Sequence, residues 1–118
     1  MARLRDQLSD LTKAEGIAAA VVVGRDGFVI DGVAGTGRLD TEAVGAVIST
    51  GIGSAEVMGR ELRLGDMAQS MMEYKDGIIV VTLLGNAAVL AVVADLRANV
   101  GNVRYQVKKQ APDILRTL

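Results

Sequence analysis

The side chains that could carry out chemistry in this chain are almost all carboxylates. Six aspartates lie mostly at predicted turns and helix caps, namely Asp26, Asp31, Asp40, Asp66, Asp76 and Asp95. Two close carboxylates can act as an acid–base pair, but no partner nucleophile or metal-ligand spacing accompanies these. Aspartate at turns and helix starts commonly accepts hydrogen bonds from backbone amides, and we favour that interpretation. A hydrolase that uses only carboxylates stays an alternative.

The absence of cysteine and histidine narrows the chemistry further. A zinc site of the usual Cys/His type needs residues that the chain lacks. Histidine acid–base catalysis and the Ser-His and Cys-His mechanisms are excluded for the same reason. We therefore expect no metal site and no enzymatic activity.

Two glycine-rich segments could suggest a nucleotide-binding loop. Gly35-Thr36-Gly37 lacks the third glycine and the parallel strand–turn–helix context of a dinucleotide fingerprint. The segment from Gly51 to Ser54 lies inside a helical pattern, and no Gly-Lys-Ser/Thr phosphate loop is present. The sequence therefore predicts no bound cofactor.

Charge and composition argue against a nucleic-acid partner. The 118 residues include 13 basic and 14 acidic residues, for a net charge of −1, and only 3% are aromatic. Nucleic-acid-binding domains usually carry a basic footprint. The pair Lys108-Lys109 is short and typical of the solvated face of a helix. The length suits one domain over residues 1–118.

Residues 77–94 carry no charge and are long enough to be weighed as a membrane span. Gly85-Asn86 divides this segment, β-branched residues are frequent on both sides, and Asp76 and Asp95 bracket it. Two buried strands joined by a tight turn explain these features, so we expect no transmembrane segment. The first residues also lack the apolar core of a secretory signal, and a cytoplasmic location is the resulting expectation.

Hydrophobic periodicity divides the chain into three helices and five strands. Leu4, Leu8 and Leu11 form one stripe of a first helix, and Asp40 or Thr41 can cap a second helix that runs to about Leu62. The last helix begins near Val100, and we expect Pro112 to interrupt or end it. Strands are predicted over residues 17–23, 28–33, 67–74, 78–84 and 89–93.

Strands that are apolar on both faces need cover on both faces of their sheet. The element order is helix, β-hairpin, helix, three-strand meander and helix. The sequence therefore predicts an α/β (α+β) fold, a three-layer α/β/α sandwich built on one antiparallel sheet.

The second helix is predicted to present three different strips. The core-facing side is predicted as Val44, Val47, Ile48, Gly51, Ala55, Met58 and Leu62. A strip of small residues holds Ala43, Ala46, Thr50, Ser54 and Val57. The outer polar strip holds Glu42, Ser49, Glu56 and Arg60. Small residues let helices approach closely, so the small strip is a candidate contact for a second helix.

The strand over residues 67–74 resembles an unprotected sheet edge. It carries Met67, Met71 and Met72, whose side chains adapt readily to partners. It lacks the proline or inward lysine that commonly protects an edge. We therefore expect it to pair with another chain.

Several segments together resemble the Roadblock / dynein light chain family. They are VVVGRDGFVI at 21–30, the small-residue helix at 41–62, GDM at 65–67, EYKDG at 73–77, the apolar meander and NVGNVR at 99–104. The resemblance covers nearly the whole chain, and the order and spacing of these segments carry it more than any single motif.

The resemblance implies a profilin-like Roadblock fold with sheet order 2-1-5-4-3. The second helix would lie on one face of the sheet, and the first and third helices on the other. It also implies a homodimer that joins through the second helix and the third strand. Together with the small strip and the open edge, this places the dimer interface at Ala43, Ala46, Val47, Thr50, Ser54, Val57, Met67, Gln69 and Met71. Val47 thus belongs to both the core-facing and the interface predictions.

Members of this family bind Ras-like small GTPases as regulators or scaffolds, and bacterial members often accompany a gliding or polarity GTPase. The resemblance therefore implies a small GTPase as partner of this chain. The partner-binding residues would be Glu42, Ser49, Glu56 and Arg60.

Two other functions remain open from the sequence. One is a structural light chain or adaptor that binds a peptide or strand regardless of nucleotide. The other is a small-ligand sensor, since PAS- and profilin-like folds share this layering. The few aromatic residues weigh against the sensor, because ligand pockets are commonly lined by apolar and aromatic side chains.

Overall fold

The fold alternates helices and strands in the order that the sequence predicts. The structure, a computed structural model, describes residues 3–35 and 39–118. In chain order the elements are α1 Leu4–Thr12, β1 Ile17–Gly24, β2 Val29–Ala34, α2 Thr41–Glu61, β3 Gln69–Tyr74, β4 Gly77–Leu84, β5 Ala88–Asp95 and α3 Val100–Arg116. Two of the residues of Gly35-Thr36-Gly37 lie outside the described part of the chain.

The five strands form one antiparallel sheet in the order β2-β1-β5-β4-β3, which confirms the order implied by the family resemblance. The two central pairings bring Val22 opposite Leu90 and Val80 opposite Val92. Strands β2 and β3 each pair with one neighbour and form the two edges of the sheet. The most apolar strands are therefore the inner ones.

Apolar side chains cover both faces of the sheet, which gives the predicted three layers. On one face, Val44, Ile48 and Ile52 of α2 pack against inward side chains of β1, β4 and β5. On the other face, α1 and α3 supply residues such as Leu8 and Val107, both fully buried. Since both faces are covered, a strand such as β1 is apolar throughout instead of alternating.

Short polar signals fix where the helices begin and where the first hairpin turns. The Asp40 carboxylate accepts a hydrogen bond from the Glu42 amide at 3.0 Å and caps α2. Asn99 caps α3 by accepting from the Asn102 amide at 2.9 Å. The turn between β1 and β2 places Gly27 at φ +91°, a conformation that glycine adopts without strain.

Helix α3 does not end at Pro112, contrary to the sequence prediction. It continues to Arg116 with the proline inside it. Proline removes one intrahelical hydrogen bond. The last turn is nevertheless anchored, because Ile114 is completely buried against the sheet.

The predicted core side of α2 is also wrong in part. Val44 and Ile48 are buried as expected, whereas Val47, Met58 and Leu62 are 65%, 58% and 67% exposed. The buried side is rotated toward Gly45 and Ile52, because the helix lies over β1 and β2. The rotation leaves one apolar flank of α2 uncovered.

Candidate partner-binding surfaces

Helix α2 presents an uncovered stripe of small and apolar side chains, which we call the α2 stripe. Its residues are Ala43, Ala46, Val47, Thr50, Gly51, Ser54, Val57 and Met58, and all of them are exposed. They follow one another at spacings of three and four residues, so they share one flank of the helix. An uncovered apolar flank of this kind marks an interaction surface more often than a solvated face.

The glycines of α2 fall into two pairs with different surroundings. A Cβ added at Gly45 would lie 2.6 Å from Val29 Cγ2, and one added at Gly59 would lie 2.7 Å from the Gly65 carbonyl oxygen. A Cβ added at Gly51 or Gly53 would meet nothing within 4 Å. Glycine costs about 1 kcal/mol relative to alanine inside a helix. Packing within the chain therefore explains the first pair and not the second.

The predicted interface residues near β3 lie on both faces of the sheet edge. Met67, just before the strand, packs against the apolar cluster under α2. Gln69 points to the opposite face, where its Oε1 accepts a hydrogen bond from Arg104 Nε of α3 at 3.1 Å. Strand alternation places Met71 on that same face, and it is 39% exposed. Among the described residues, no strand pairs with the outer edge of β3.

The four predicted partner-binding residues do not form one cluster. Glu42 and Arg60 are exposed, but they stand near opposite ends of α2, roughly 27 Å apart along the helix. Ser49 and Glu56 are half-buried on the side of α2 that faces the β1–β2 turn. A Cβ added at Gly27 in that turn would lie 3.2 Å from Ser49 Oγ.

Glu56 forms an ion pair with Arg25, and its side chain is only 18% exposed. The pair ties α2 to the turn between β1 and β2. Sequence patterns did not identify Arg25 as a partner of Glu56, because the two residues are 31 positions apart. Helical spacing reports which residues share a face and not which turn lies beneath them.

Several aspartates have the structural role that the sequence analysis favoured. Asp26 accepts a hydrogen bond from the Phe28 amide, and Asp95 from the Arg97 amide at 2.9 Å. Hydrogen bonds from the Arg97 side chain, then from its backbone amide, lower the pKa of Asp95. Across residues 3–35 and 39–118, no group of three or more acidic side chains is placed to hold a metal ion.

Two concave sites on the described surface are smaller than a typical ligand pocket. A hollow of about 160 Å³ lies between α1 and α3, beside Leu11 and Gln106. Another, of about 290 Å³, is floored by Ile79 and Val93 and bordered by Leu39 and Tyr74. Drug-sized ligands commonly occupy about 300–1,000 Å³ with convergent polar groups. In the part of the chain that is described, no helix has the length and hydropathy to cross a bilayer.

The sheet order, the three layers and the uncovered α2 stripe define a small α/β domain of the Roadblock type. The family model for the Roadblock/LC7 domain matches residues 4–94. A protein of Methanocaldococcus jannaschii is 36% identical over 107 residues, which cover 91% of this chain and 92% of that protein. The chain therefore belongs to the Roadblock/LC7 family.

Two solved structures share this fold at low sequence identity. The gliding protein MglB from Thermus thermophilus superposes with a TM-score of 0.89 at 17% identity, covering 98% of this chain and 87% of that one. A Roadblock/LC7 domain from Streptomyces avermitilis gives a TM-score of 0.84 at 21% identity, with 96% and 95% coverage. These similarities establish the fold.

Proposed function

We propose that this protein is a non-enzymatic, cytoplasmic homodimer that binds a Ras-like small GTPase, as a regulator or a scaffold. The observation that carries the proposal is the α2 stripe on a Roadblock/LC7 domain. It is exposed and apolar, and it contains a glycine that nothing within the chain requires. A partner helix that packs closely against α2 would explain why position 51 is glycine.

The dimer would form through the α2 stripe and the β3 edge. Val47, Val57 and Met58 are each at least 46% exposed in the single chain. Burying apolar surface stabilises association by about 25 cal/mol per Å². Pairing two β3 edges would also satisfy backbone groups that otherwise face solvent. In an isologous dimer, one two-fold axis would have to generate both contacts together.

The GTPase proposal rests on membership of the family, whose members bind such GTPases. The fold likeness to a gliding protein is consistent with it. Glu42 and Arg60 stand near opposite ends of one helix, so two α2 helices that run antiparallel in the proposed dimer would bring Glu42 of one subunit beside Arg60 of the other. One GTPase would dock across both subunits through its nucleotide-sensitive region. Ser49 and Glu56 would contribute beside the β1–β2 turn.

One observation favours a second candidate, an adaptor that binds a strand or peptide whatever nucleotide is present. The β3 edge is open and carries no proline among Gln69–Tyr74. An extended peptide could add to it by β-augmentation. This candidate competes with the dimer for the same edge, so the two make different predictions about solution mass.

Affinity capture in the presence of each nucleotide tests the proposal. The tagged protein is incubated with lysate of its source cell containing a non-hydrolysable GTP analogue or GDP, and bound proteins are identified by mass spectrometry. We expect a Ras-like GTPase to be enriched with one nucleotide. The variant that tests the proposed site is Glu42→Lys with Arg60→Glu, which should lose that enrichment. Partners captured equally in both nucleotide states would favour the adaptor instead.

A further inference from the structure

We propose a second interaction site on the face opposite the α2 stripe, a basic groove between α3 and β3 that binds an acidic peptide segment. The groove has a volume of about 570 Å³, and Gln69, Thr82, Arg104, Tyr105 and Lys108 line it. This site goes beyond the proposed GTPase function, and Gln69 is the one lining residue that it shares with the predicted dimer interface.

The charge of α3 differs from that of the rest of the chain. Its residues Val100–Arg116 include four basic side chains and one acidic side chain, a formal charge of +3 on a chain of net −1. The acidic residue, Asp113, pairs with Arg116. Within residues 3–35 and 39–118, Arg104, Lys108 and Lys109 form no ion pair. Three cations of the helix are therefore not neutralised within the described chain.

Two of these cations stand at the groove, and the groove contains no carboxylate. Arg104 and Lys108 are one helical turn apart, so they project from the same side of α3. The Arg104 guanidinium is held toward the sheet by its hydrogen bond to Gln69. That partner is a neutral amide, so the positive charge of Arg104 remains available to an anion.

An aromatic side chain lies beside the cations and gives the site an apolar contact as well. Tyr105 is 59% exposed, and Lys109 Nζ lies 5.9 Å from the centre of its ring. The cation–π contact positions Lys109 above the ring. A segment that alternates carboxylates with apolar side chains would meet both kinds of surface here.

The shape of the site favours a peptide over other polyanions. The cations stand in a concavity walled by α3 and floored by the sheet edge, whereas a bilayer surface is flat. A nucleic-acid strand would need several aromatic platforms and an extended basic track. Only 3% of the residues are aromatic, and the cations that stand at the groove, Arg104 and Lys108, lie one helical turn apart on α3 instead of along an extended track.

Fluorescence anisotropy with a labelled peptide of alternating glutamate and valine tests the site. The protein should bind this peptide, bind its glutamine–valine counterpart much more weakly, and lose affinity as salt is added. Arg104→Glu with Lys108→Glu should raise the Kd by about tenfold or more, equal to about 1.4 kcal/mol. Lys108→Glu alone should act in the same direction, and Lys108 forms no hydrogen bond among the described residues whose loss could disturb the fold.

The matched control reverses two charges on other surfaces, Arg60→Glu with Lys75→Glu. It changes the net charge equally and should leave peptide binding unaltered. Because Arg60 belongs to the proposed GTPase surface, this control should lose GTPase capture while keeping the peptide. The two proposals therefore fail separately.

Three results would overturn the basic-groove site. They are no binding of the acidic peptide, equal binding by the α3 variants and the control, and tighter binding of phosphatidylserine vesicles or an oligonucleotide through the same cations. The last result would assign the groove to a lipid or a nucleic acid.

Discussion

At the scale of single residues, Glu56 is a proposed partner-binding residue that also forms an ion pair with Arg25 inside the fold. The carboxylate joins the C-terminal half of α2 to the turn between β1 and β2. A substitution at Glu56 therefore affects both the fold and any partner that touches this end of the helix. Separating the two effects requires a compensating change in Arg25.

Glu56→Lys should destabilise the domain by about 1 kcal/mol, since it replaces an attraction with a repulsion beside Arg25. Adding Arg25→Glu restores opposite charges and should recover most of the lost stability in urea unfolding. If Glu56 contacts the GTPase, the double variant should still capture little GTPase, although its stability in urea is restored. Capture that recovers together with stability would show that Glu56 acts only through the fold.

Asp95 gives a prediction for pH dependence. The Arg97 side chain and amide lower its pKa from the ordinary value of 3.8. A carboxyl group whose folded pKa is lowered stabilises the fold above its unfolded pKa, and this contribution is lost as the pH falls through the folded pKa. Asp95→Asn should therefore be less stable than wild type near neutral pH, and the difference should vanish well below pH 3.8.

Urea unfolding of both proteins over a pH series measures this difference. Asp66→Asn is a suitable control, because Asp66 is exposed and accepts no hydrogen bond among the described residues. A stability gap between wild type and Asp95→Asn that persists unchanged into strong acid would contradict the assignment of the pKa shift to Arg97.

At the scale of elements, one feature of helix α2 could be predicted from the sequence and another could not. The small strip was predictable, because Ala43, Thr50 and Ser54 recur at helical spacing. The side of α2 that faces the sheet was not predictable, because apolar residues occupy both flanks of the helix. Periodicity alone cannot show which flank is buried. Only the position of α2 over β1 and β2 buries Ile52 and leaves Met58 exposed.

The two unexplained glycines of α2 provide a matched pair of variants. Gly51 lies on the α2 stripe between Val47 and Ser54, whereas Gly53 lies beside Ser49 and Glu56 near the β1–β2 turn. In a single chain, alanine at either position should stabilise the helix by about 1 kcal/mol. In the proposed dimer, Gly51→Ala should obstruct the partner helix and weaken self-association by about tenfold or more.

Sedimentation velocity over a dilution series measures this effect, with Gly53→Ala as the control that should remain as dimeric as wild type. Equal self-association of Gly51→Ala and Gly53→Ala would remove Gly51 from the interface. If Gly51→Ala and Gly53→Ala are stabilised equally and the wild-type protein is monomeric, the proposed dimer is contradicted.

The third helix shows another limit of local sequence patterns. Pro112 correctly signals a missing hydrogen bond, but it does not determine where the helix ends. Burial of Ile114 on the α1 side of the sheet holds the turn after the proline. That tertiary contact depends on the position of α3 over β4, which no local window of sequence contains.

At the scale of the whole molecule, the order of the strands came from family resemblance and not from periodicity. The hairpin β1–β2 and the meander β3–β4–β5 follow from turn signals such as Asp26-Gly27. Placing β5 beside β1 joins residues more than 60 positions apart, and nothing local specifies that pairing. The proposed dimer interface is harder still to predict from sequence patterns, since it would involve a second molecule.

A dimer predicts that thermal stability depends on protein concentration. Unfolding that releases two chains is opposed by mass action, so a tenfold rise in concentration should raise the Tm by about 3 °C. Differential scanning calorimetry over such a series measures the shift. A Tm that does not move with concentration would indicate that the folded unit is a single chain.

The most direct test of the proposed GTPase-binding dimer is the mass of the complex with the captured GTPase, measured by light scattering after size-exclusion chromatography. We predict two copies of this 12.3 kDa chain for each GTPase, formed with one nucleotide state and not with the other. A one-to-one complex, or a complex that forms equally with the GTP analogue and GDP, would contradict the proposed dimeric GTPase partner.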